Sequence, residues 1–263
     1  MFSKIESVQN EKIKAAVKLA QSAKARAEEG LFFLEGLRLC ADTLNSSLDV
    51  DSLFYTPDCF EKHSETIRRL CDTATNVCEI SASVSKKLSQ TQAPQGVYCL
   101  VRTKEILTPD RMSPDGKYVA LEVIQDPANL GAIIRTAEAL GVDGALLCGC
   151  CDIYNPKALR ASMGSLLRLP LFESKNLPET LMELRQNGTR IFATTPDAKA
   201  AKITETPMRG GVLLVIGNEG NGVSPQTLRV CTPITIPMLG RAESLNASMA
   251  AAIAMWEMMK QNF

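Results

Sequence analysis

Histidine is nearly absent from this chain: of 263 residues only His63 carries an imidazole, and it sits between Lys62 and Ser64 in a polar stretch. A two-histidine metal site therefore does not exist, and a Ser-His-Asp arrangement has one residue to draw on. Most hydrolase and metalloenzyme mechanisms fall away, and no metal is expected. Net charge is missing as well, with 29 basic against 29 acidic residues. A protein held to a polyanion by bulk charge is disfavoured, whereas a local basic face is not. Apolar runs such as Val212–Ile216 and Met249–Trp256 are far shorter than the ~20 residues of a membrane span. Met1-Phe2-Ser3-Lys4 leads into a charged segment without the apolar core of a signal peptide. A cytoplasmic protein with no membrane partner is expected. The dinucleotide fingerprint GxGxxG and the phosphate loop ending in GK[ST] are also missing.

What is present is ordinary in bulk. Apolar residues make up 45% and charged residues 22%, near the average of globular proteins. The length suits one large or two medium domains with a sizeable core. Nine cysteines are an odd number, and Cys148, Cys150 and Cys151 crowd into an apolar stretch. Buried, reduced thiols match a cytoplasmic protein better than a structural zinc site.

Periodicity divides the chain into an α/β protein of two parts. In residues 1–105, Ile13, Val17, Ala20 and Lys24 recur at helical steps, predicting an amphipathic helix over 8–29 that ends at Gly30. Strands are expected at 31–34, 52–55, 77–80 and 96–101, with helices at 36–44 and 83–89. Residues 103–117 hold Pro109, Pro114 and Gly116 and read as an interdomain connection, with the linker proper at 106–117. From 118 to 263 the strand–helix alternation is stricter. Strands are expected at 118–124, 145–148, 190–194 and 212–216, with extended segments at 169–172 and 234–237. Helices are expected at 130–140, 156–165, 178–186 and 245–261. Such alternation predicts a parallel sheet covered on both faces. Ligands bind such sheets at the carboxyl ends of the strands.

Three strand-to-helix turns carry polar residues that a plain fold does not require. The first is Gln125-Asp126-Pro127-Ala128-Asn129-Leu130-Gly131, followed by Arg135. Asp126 and Asn129 are suited to cap the helix. Arg135 is rotated by about 240° from Asn129 on an ideal helix. The second is Gly217-Asn218-Glu219-Gly220-Asn221-Gly222. Its glycines permit tight backbone near a ligand. Glu219 would repel phosphate, so an amine, a sulfonium or a sugar hydroxyl fits the loop better. The third runs from Ile236 to Met249, with Ser244 as a plausible N-cap and Ser244, Asn246 and Ser248 as polar side chains at an apolar helix start. Leu245, Met249, Ile253 and Trp256 form one stripe beyond it.

Taken together, these turns resemble the three motifs of the SpoU/TrmH family of RNA 2′-O-ribose methyltransferases, within the SPOUT superfamily. The likeness runs from Tyr118 to about Gln261. The stretch from Asn155-Pro156-Lys157 through Arg160-Ala161-Ser162-Met163-Gly164-Ser165 resembles the segment between the family's first two motifs. Phe33-Leu34-Glu35-Gly36-Leu37-Arg38 is similar, more loosely, to the family's ribosomal-protein-like substrate-binding domain. Ala128 departs from the family, whose members often carry glycine there.

The resemblance implies a C-terminal SPOUT domain with a trefoil knot, a smaller N-terminal α/β substrate-binding domain, a homodimer and S-adenosylmethionine as cofactor. It implies catalytic roles for Arg135, Asn129, Glu219, Ser244 and Asn246. Thr194, Thr195, Ile216, Gly217, Asn218, Gly220, Ile236, Met238, Ser244 and Leu245 would surround the cofactor. RNA contacts are expected at Arg38, Lys157, Arg160 and Arg168. On a continuous helix the last three span an arc of about 80°. Lys12, Lys14, Lys18, Lys24 and Arg26 offer a second basic set. The implied activity is methylation of a ribose 2′-hydroxyl in structured RNA, ribosomal in preference to transfer RNA. A non-catalytic RNA-binding relative and a nicotinamide oxidoreductase are the competing readings.

Overall fold

The computed structural model describes residues 2–260, which divide into two compact units. The first comprises residues up to Glu105 together with Tyr154–Leu167. Its elements are β1 (Phe2–Ile5), α1 (Glu11–Gln21), α2 (Ala23–Glu29), β2 (Leu31–Glu35), α3 (Leu37–Asp42) and β3 (Val50–Tyr55). Then come α4 (Pro57–Lys62), α5 (Ser64–Thr73), β4 (Asn76–Ile80), α6 (Ala82–Leu88) and β5 (Val97–Arg102). The strands form one mixed sheet in the order β1-β4-β3-β5-β2, with β5 antiparallel to both neighbours. Ile13, Ala16, Leu19 and Ala20 of α1 pack with Phe33, Phe54, Tyr98 and Leu100 of the sheet.

Several expectations shift here for local reasons. The helix predicted over 8–29 is two helices, because Ser22 takes extended backbone and its hydroxyl accepts from the Ala25 N–H at 3.2 Å. Gly30 ends the second one in left-handed conformation, φ 62°, as its missing side chain allows. Strand β1 and helix α4 carry no periodicity long enough to stand out in the sequence, whereas α5 has Ile67, Leu70 and Cys71 at helical steps and the sequence reading overlooks it.

The second unit holds β6 (Lys117–Glu122), α7 (Pro127–Ala139) and β7 (Gly144–Cys148). Helix α8 (Pro156–Ser162) lies in the segment belonging to the first unit, and α9 (Ser165–Arg168) leads back from it. Then follow β8 (Leu171–Glu173), α10 (Leu177–Gln186), β9 (Arg190–Thr194), β10 (Ala201–Lys202), β11 (Val212–Ile216), α11 (Pro225–Arg229), β12 (Thr232–Thr235) and α12 (Ala247–Met259). Seven strands pair in the order β10-β12-β9-β11-β6-β7-β8, and every pairing is parallel. Every residue of the central strand β11 is buried, at about 1.5–3 kcal/mol per large side chain.

Two domain expectations need correction. The presumed linker 106–117 folds into the second unit: Leu107 bridges to Phe172 beside β8, and Met112 joins the core. An unbroken second domain over 118–263 is interrupted at Tyr154–Leu167. There the Tyr154 ring stacks on Phe32 with centroids 4.4 Å apart, and its hydroxyl accepts from the Lys104 N–H at 3.0 Å. The helix expected over 156–165 stops at Ser162, because Met163 is left-handed (φ 49°) and Gly164 follows at φ 88°. The arc joining Lys157, Arg160 and Arg168 on one helix therefore does not form. Arg168 instead makes a two-pronged ion pair with Glu138, Nη2 to Oε2 at 2.9 Å and Nε to Oε1. The last helix begins at Ala247 rather than Leu245, and its expected end at Gln261 lies outside the described residues.

Candidate active site

The carboxyl ends of β9, β11 and β12 open into a cleft of about 230 Å³. Thr194 and Thr195 close one side, the turn 216–222 forms the floor, and Ile236, Met238, Ser244 and Leu245 form the far wall. All the residues expected around a cofactor line this cleft. Pro196, Asn221, Gly222, Ala247 and Ala250 line it too. Pro196 and Ala250 are marked only by proximity in the fold, whereas Asn221, Gly222 and Ala247 lie in the second and third turns that the sequence singles out.

The turn is tightly built. The Asn218 N–H donates to the Gly222 carbonyl at 3.0 Å, and the Gly222 N–H donates back at 2.9 Å. The Asn218 Oδ1 accepts from the Gly220 and Asn221 N–H groups, both at 3.0 Å. A Cβ on Gly217 would stand 2.1 Å from the backbone of Gly222 and Val223, so only glycine fits there. A second anchor holds the far side of the turn. The buried Glu122 carboxylate accepts from the Ser224 N–H and hydroxyl, both at 2.8 Å, and from the Thr227 hydroxyl at 2.6 Å. The end of β6 is thereby fixed to the start of α11.

Three of the expected catalytic residues form one hydrogen-bonded line. The Glu219 carboxylate accepts from the backbone of Gln125 (3.2 Å) and Asp126 (3.0 Å) and from Asn129 Nδ2 (3.1 Å). Asn129 Oδ1 accepts from Asn246 Nδ2 at 3.1 Å. Asn246 Oδ1 accepts from the Ser248 N–H at 2.9 Å and its hydroxyl at 2.6 Å. The carboxylate has no proton to give, so both amide orientations follow from it. Burial pulls the Glu219 carboxyl upward, but hydrogen bonds from Asn129, Asp126 and Gln125 outweigh burial and hold it below its ordinary value of 4.5. Glu219 is therefore a fixed anion that organises the first and second turns, where the sequence alone points to an electrostatic preference and the family resemblance implies a catalytic role.

The remaining catalytic candidates sit differently. Ser244 lines the cleft but does not cap α12; Asn246 holds that position, with φ −54° and ψ 142°. Asp126 caps α7 through its bond from the Ala128 N–H at 2.9 Å, and Asn129 lies inside the first turn. Arg135 is on α7, exposed, outside the cleft lining, and its side chain has no hydrogen-bond or ion-pair partner among the described residues. The loop beside Gln125 carries Cys150 and Cys151. Burial pushes the first up to about 11 and the second up to about 12, so neither is a thiolate near neutrality. No cluster of three or more potential metal ligands occurs among the described residues.

Against known proteins, residues 116–256 match the SpoU rRNA methylase family, and residues 10–99 match the MRM3-like substrate-binding domain. The chain is 30% identical to the 23S rRNA (guanosine(2553)-2′-O)-methyltransferase RlmP of Bacillus subtilis, over 98% of this chain and 99% of that protein. It is 31% identical to an uncharacterised tRNA/rRNA methyltransferase of Synechocystis, over 100% and 95%. In structure it resembles an AdoMet-bound rRNA methyltransferase from Sinorhizobium meliloti (TM-score 0.89, 27% identity, covering 100% and 99%). It also resembles AviRb from Streptomyces viridochromogenes in complex with AdoMet (TM-score 0.85, 28% identity, covering 97% and 98%). The parallel-sheet unit, the cleft at its strand ends and a family match over more than half the chain agree: this protein belongs to the SpoU rRNA methylase family.

Proposed function

We propose that this protein is an S-adenosylmethionine-dependent 2′-O-methyltransferase acting on ribosomal RNA. The observation that carries the reading is the convergence of the expected cofactor residues on one cleft beside the Glu219–Asn129–Asn246 line. The fit to the cofactor is chemical. Gly217 leaves backbone where a side chain would intrude, Ile236, Met238 and Leu245 give an apolar wall, and Glu219 supplies negative charge for a sulfonium. The sulfonium, when bound, supplies an activated methyl group, so no metal is required.

The chain's own task is to place the ribose oxygen in line and to manage its proton. Arg135 matches the family's catalytic arginine, and its exposed, unpaired guanidinium is free to meet RNA. Arg135 binds the target phosphate or hydroxyl as a cation, through the fork of donors that a guanidinium presents. Glu219 is a weak base because its carboxyl is depressed. The proton then passes to another group or to water. Asn129 and Asn246 fix α7 and α12 so that the arginine is presented at one height. Arg38, Lys157 and Arg160 supply further RNA contacts; Arg168 is engaged by Glu138.

A homodimer in the cytoplasm, with the knotted second unit of its family, completes the proposal. The stripe Leu245, Met249, Ile253 and Trp256 is 38–58% exposed, a continuous apolar face of the kind that associates. The deciding experiment maps ribose methylation in ribosomal and transfer RNA from a strain lacking the gene. One lost rRNA site, restored by wild type but not by Arg135→Ala, is the expected result. A lost tRNA site transfers the activity to that substrate, and no lost site overturns the enzyme reading.

A further inference from the structure

The first unit carries a loop whose construction the catalytic reading does not use. Residues Gln90, Thr91, Gln92, Ala93, Pro94 and Gln95 are all exposed, yet the loop is pinned from beneath. Glu35, buried to 8% exposure at the end of β2, accepts from the Ser89 hydroxyl (2.6 Å), the Gln90 N–H (2.8 Å) and the Thr91 hydroxyl (2.8 Å). Gln95 Oε1 accepts from the Leu37 N–H at 2.8 Å, next to Arg38. Gly96 closes the loop at φ 77°, where a Cβ would lie 2.3 Å from the Thr56 hydroxyl. A buried carboxylate that orders an exposed polar loop leaves the outward side chains pre-organised.

Apart from Glu35 beneath the loop, the charge flanking it in sequence has one sign. No Asp or Glu occurs between Glu79 and Glu105, whereas Lys86, Lys87, Arg102 and Lys104 do. Lys86 and Lys87 directly precede the loop, and Arg38 follows the residue that Gln95 holds; all three are exposed with no side-chain partner among the described residues. On α1 and α2, Lys14 pairs with Glu11 at 2.8 Å and Lys24 with Glu28 at 3.7 Å, whereas Lys12 and Lys18 are exposed with no side-chain partner among the described residues. In a chain of zero net charge a cluster of unpaired cations with no acidic residue nearby in sequence is a place where a polyanion is favoured.

We infer that Lys86, Lys87, Arg38 and the loop Gln90–Gln95 form the surface that reads unpaired bases of the RNA, a deepening that rests on the methyltransferase reading. The cations take phosphates. The Gln92 amide, with both donor and acceptor unengaged among the described residues, takes base edges, joined by Gln90 Oε1 and Gln95 Nε2, since Gln90 Nε2 donates to the Leu88 carbonyl at 3.4 Å and Gln95 Oε1 is held by Leu37. Duplex RNA is recognised mostly by shape and by backbone and 2′-hydroxyl contacts, whereas base-specific hydrogen bonds go to unpaired, splayed-out bases, so the loop selects single-stranded segments.

The test uses the full chain with two probes, a labelled single-stranded RNA oligonucleotide and its duplex, besides turnover on 23S rRNA transcript. Lys86→Gln/Lys87→Gln is expected to reduce the slope of log affinity against log salt by about 1.5. Gln90→Ala/Gln92→Ala is expected to raise KM for the transcript roughly tenfold, with the salt slope and kcat unchanged and the loss confined to the single strand. Cofactor affinity and melting temperature stay at wild-type values in both. Wild-type KM and slope in both variants overturn the inference, as does equal loss on duplex and single strand. Failure of the wild type to methylate any transcript counts against the catalytic reading alone, since the binding arm still decides this one.

Discussion

Asn129 and Asn246 stand 117 positions apart and share one hydrogen bond of 3.1 Å, with Glu219 fixing its direction from one end and Ser248 from the other. Because each amide is both donor and acceptor, removing either leaves an unmatched group on the next. Asn129→Ala is expected to lower single-turnover methyl transfer roughly a hundredfold through misplacement and to destabilise by about 1–3 kcal/mol. Asn246→Ala removes the α12 cap as well, at about 1 kcal/mol. The double variant should fall short of the sum by 0.5 kcal/mol or more, roughly the range seen for residues in contact. Strict additivity in denaturant titrations would show that the two asparagines act separately.

The glycine turn separates steric need from ordinary sequence. Gly217→Ala drives a methyl group into backbone 2.1 Å away, whereas at Gly220 the nearest atom to a new Cβ is Asn218 Oδ1 at 3.6 Å and the backbone is not left-handed. The first substitution should abolish calorimetric binding of S-adenosylmethionine and lower the melting temperature. The second should leave affinity within a few-fold. Equal effects at both positions would mean that the floor of the cleft tolerates rearrangement.

The floor of the cleft was legible because turn chemistry is local: Gly217 and the strand end before it announce themselves in the sequence, whereas Thr194, Ile236, Met238 and Leu245 entered through the resemblance to the SpoU/TrmH family. What escaped was decided by tertiary contacts. Ser244 looks like the better cap, but Asn246 is placed to cap α12 and to reach Asn129 together. The break at Met163 puts a residue with no preference for left-handed backbone into that conformation, so nothing in its type signals a helix end. Arg168 reads as a surface cation until Glu138, on a different helix, is seen to hold it. The loop at 89–95 has no periodicity, and only the buried Glu35 reveals that it is ordered.

Val123 is a second place where backbone and residue type disagree. Its φ is 57°, and its carbonyl accepts from Asn218 Nδ2 at 2.8 Å while its N–H donates to Cys148 at 2.8 Å. A β-branched residue there is strained by about 1–2 kcal/mol, which offsets the ~0.5–1 kcal/mol entropic penalty of glycine. The side chain is 40% exposed, so little burial is lost. Val123→Gly is therefore expected to leave stability unchanged or raise it by up to about 1 kcal/mol, with the turn intact. A loss beyond about 1 kcal/mol in urea titration would show that the Val123 side chain packs more strongly than its exposure indicates.

Glu219 sets the pH behaviour of the site. Its carboxyl is depressed below 4.5 in the fold, so the ionised form binds its N–H donors and stabilises the turn above the unfolded value. That contribution is lost as pH falls through the folded value, in the acid range below 4.5. Affinity for S-adenosylmethionine should be flat from about pH 8 to about pH 6 and decline only in acid, in line with linkage. Glu219→Gln replaces one acceptor oxygen by an NH₂ group, which meets the N–H groups of Asn129, Asp126 or Gln125 donor to donor. The variant should therefore bind weakly at every pH, including neutrality, where the wild type binds fully. Calorimetry across the range distinguishes the cases. A wild-type decline already between about pH 7 and 6 would assign the titration to another group, and full affinity in the variant would remove Glu219 from the construction of the cleft.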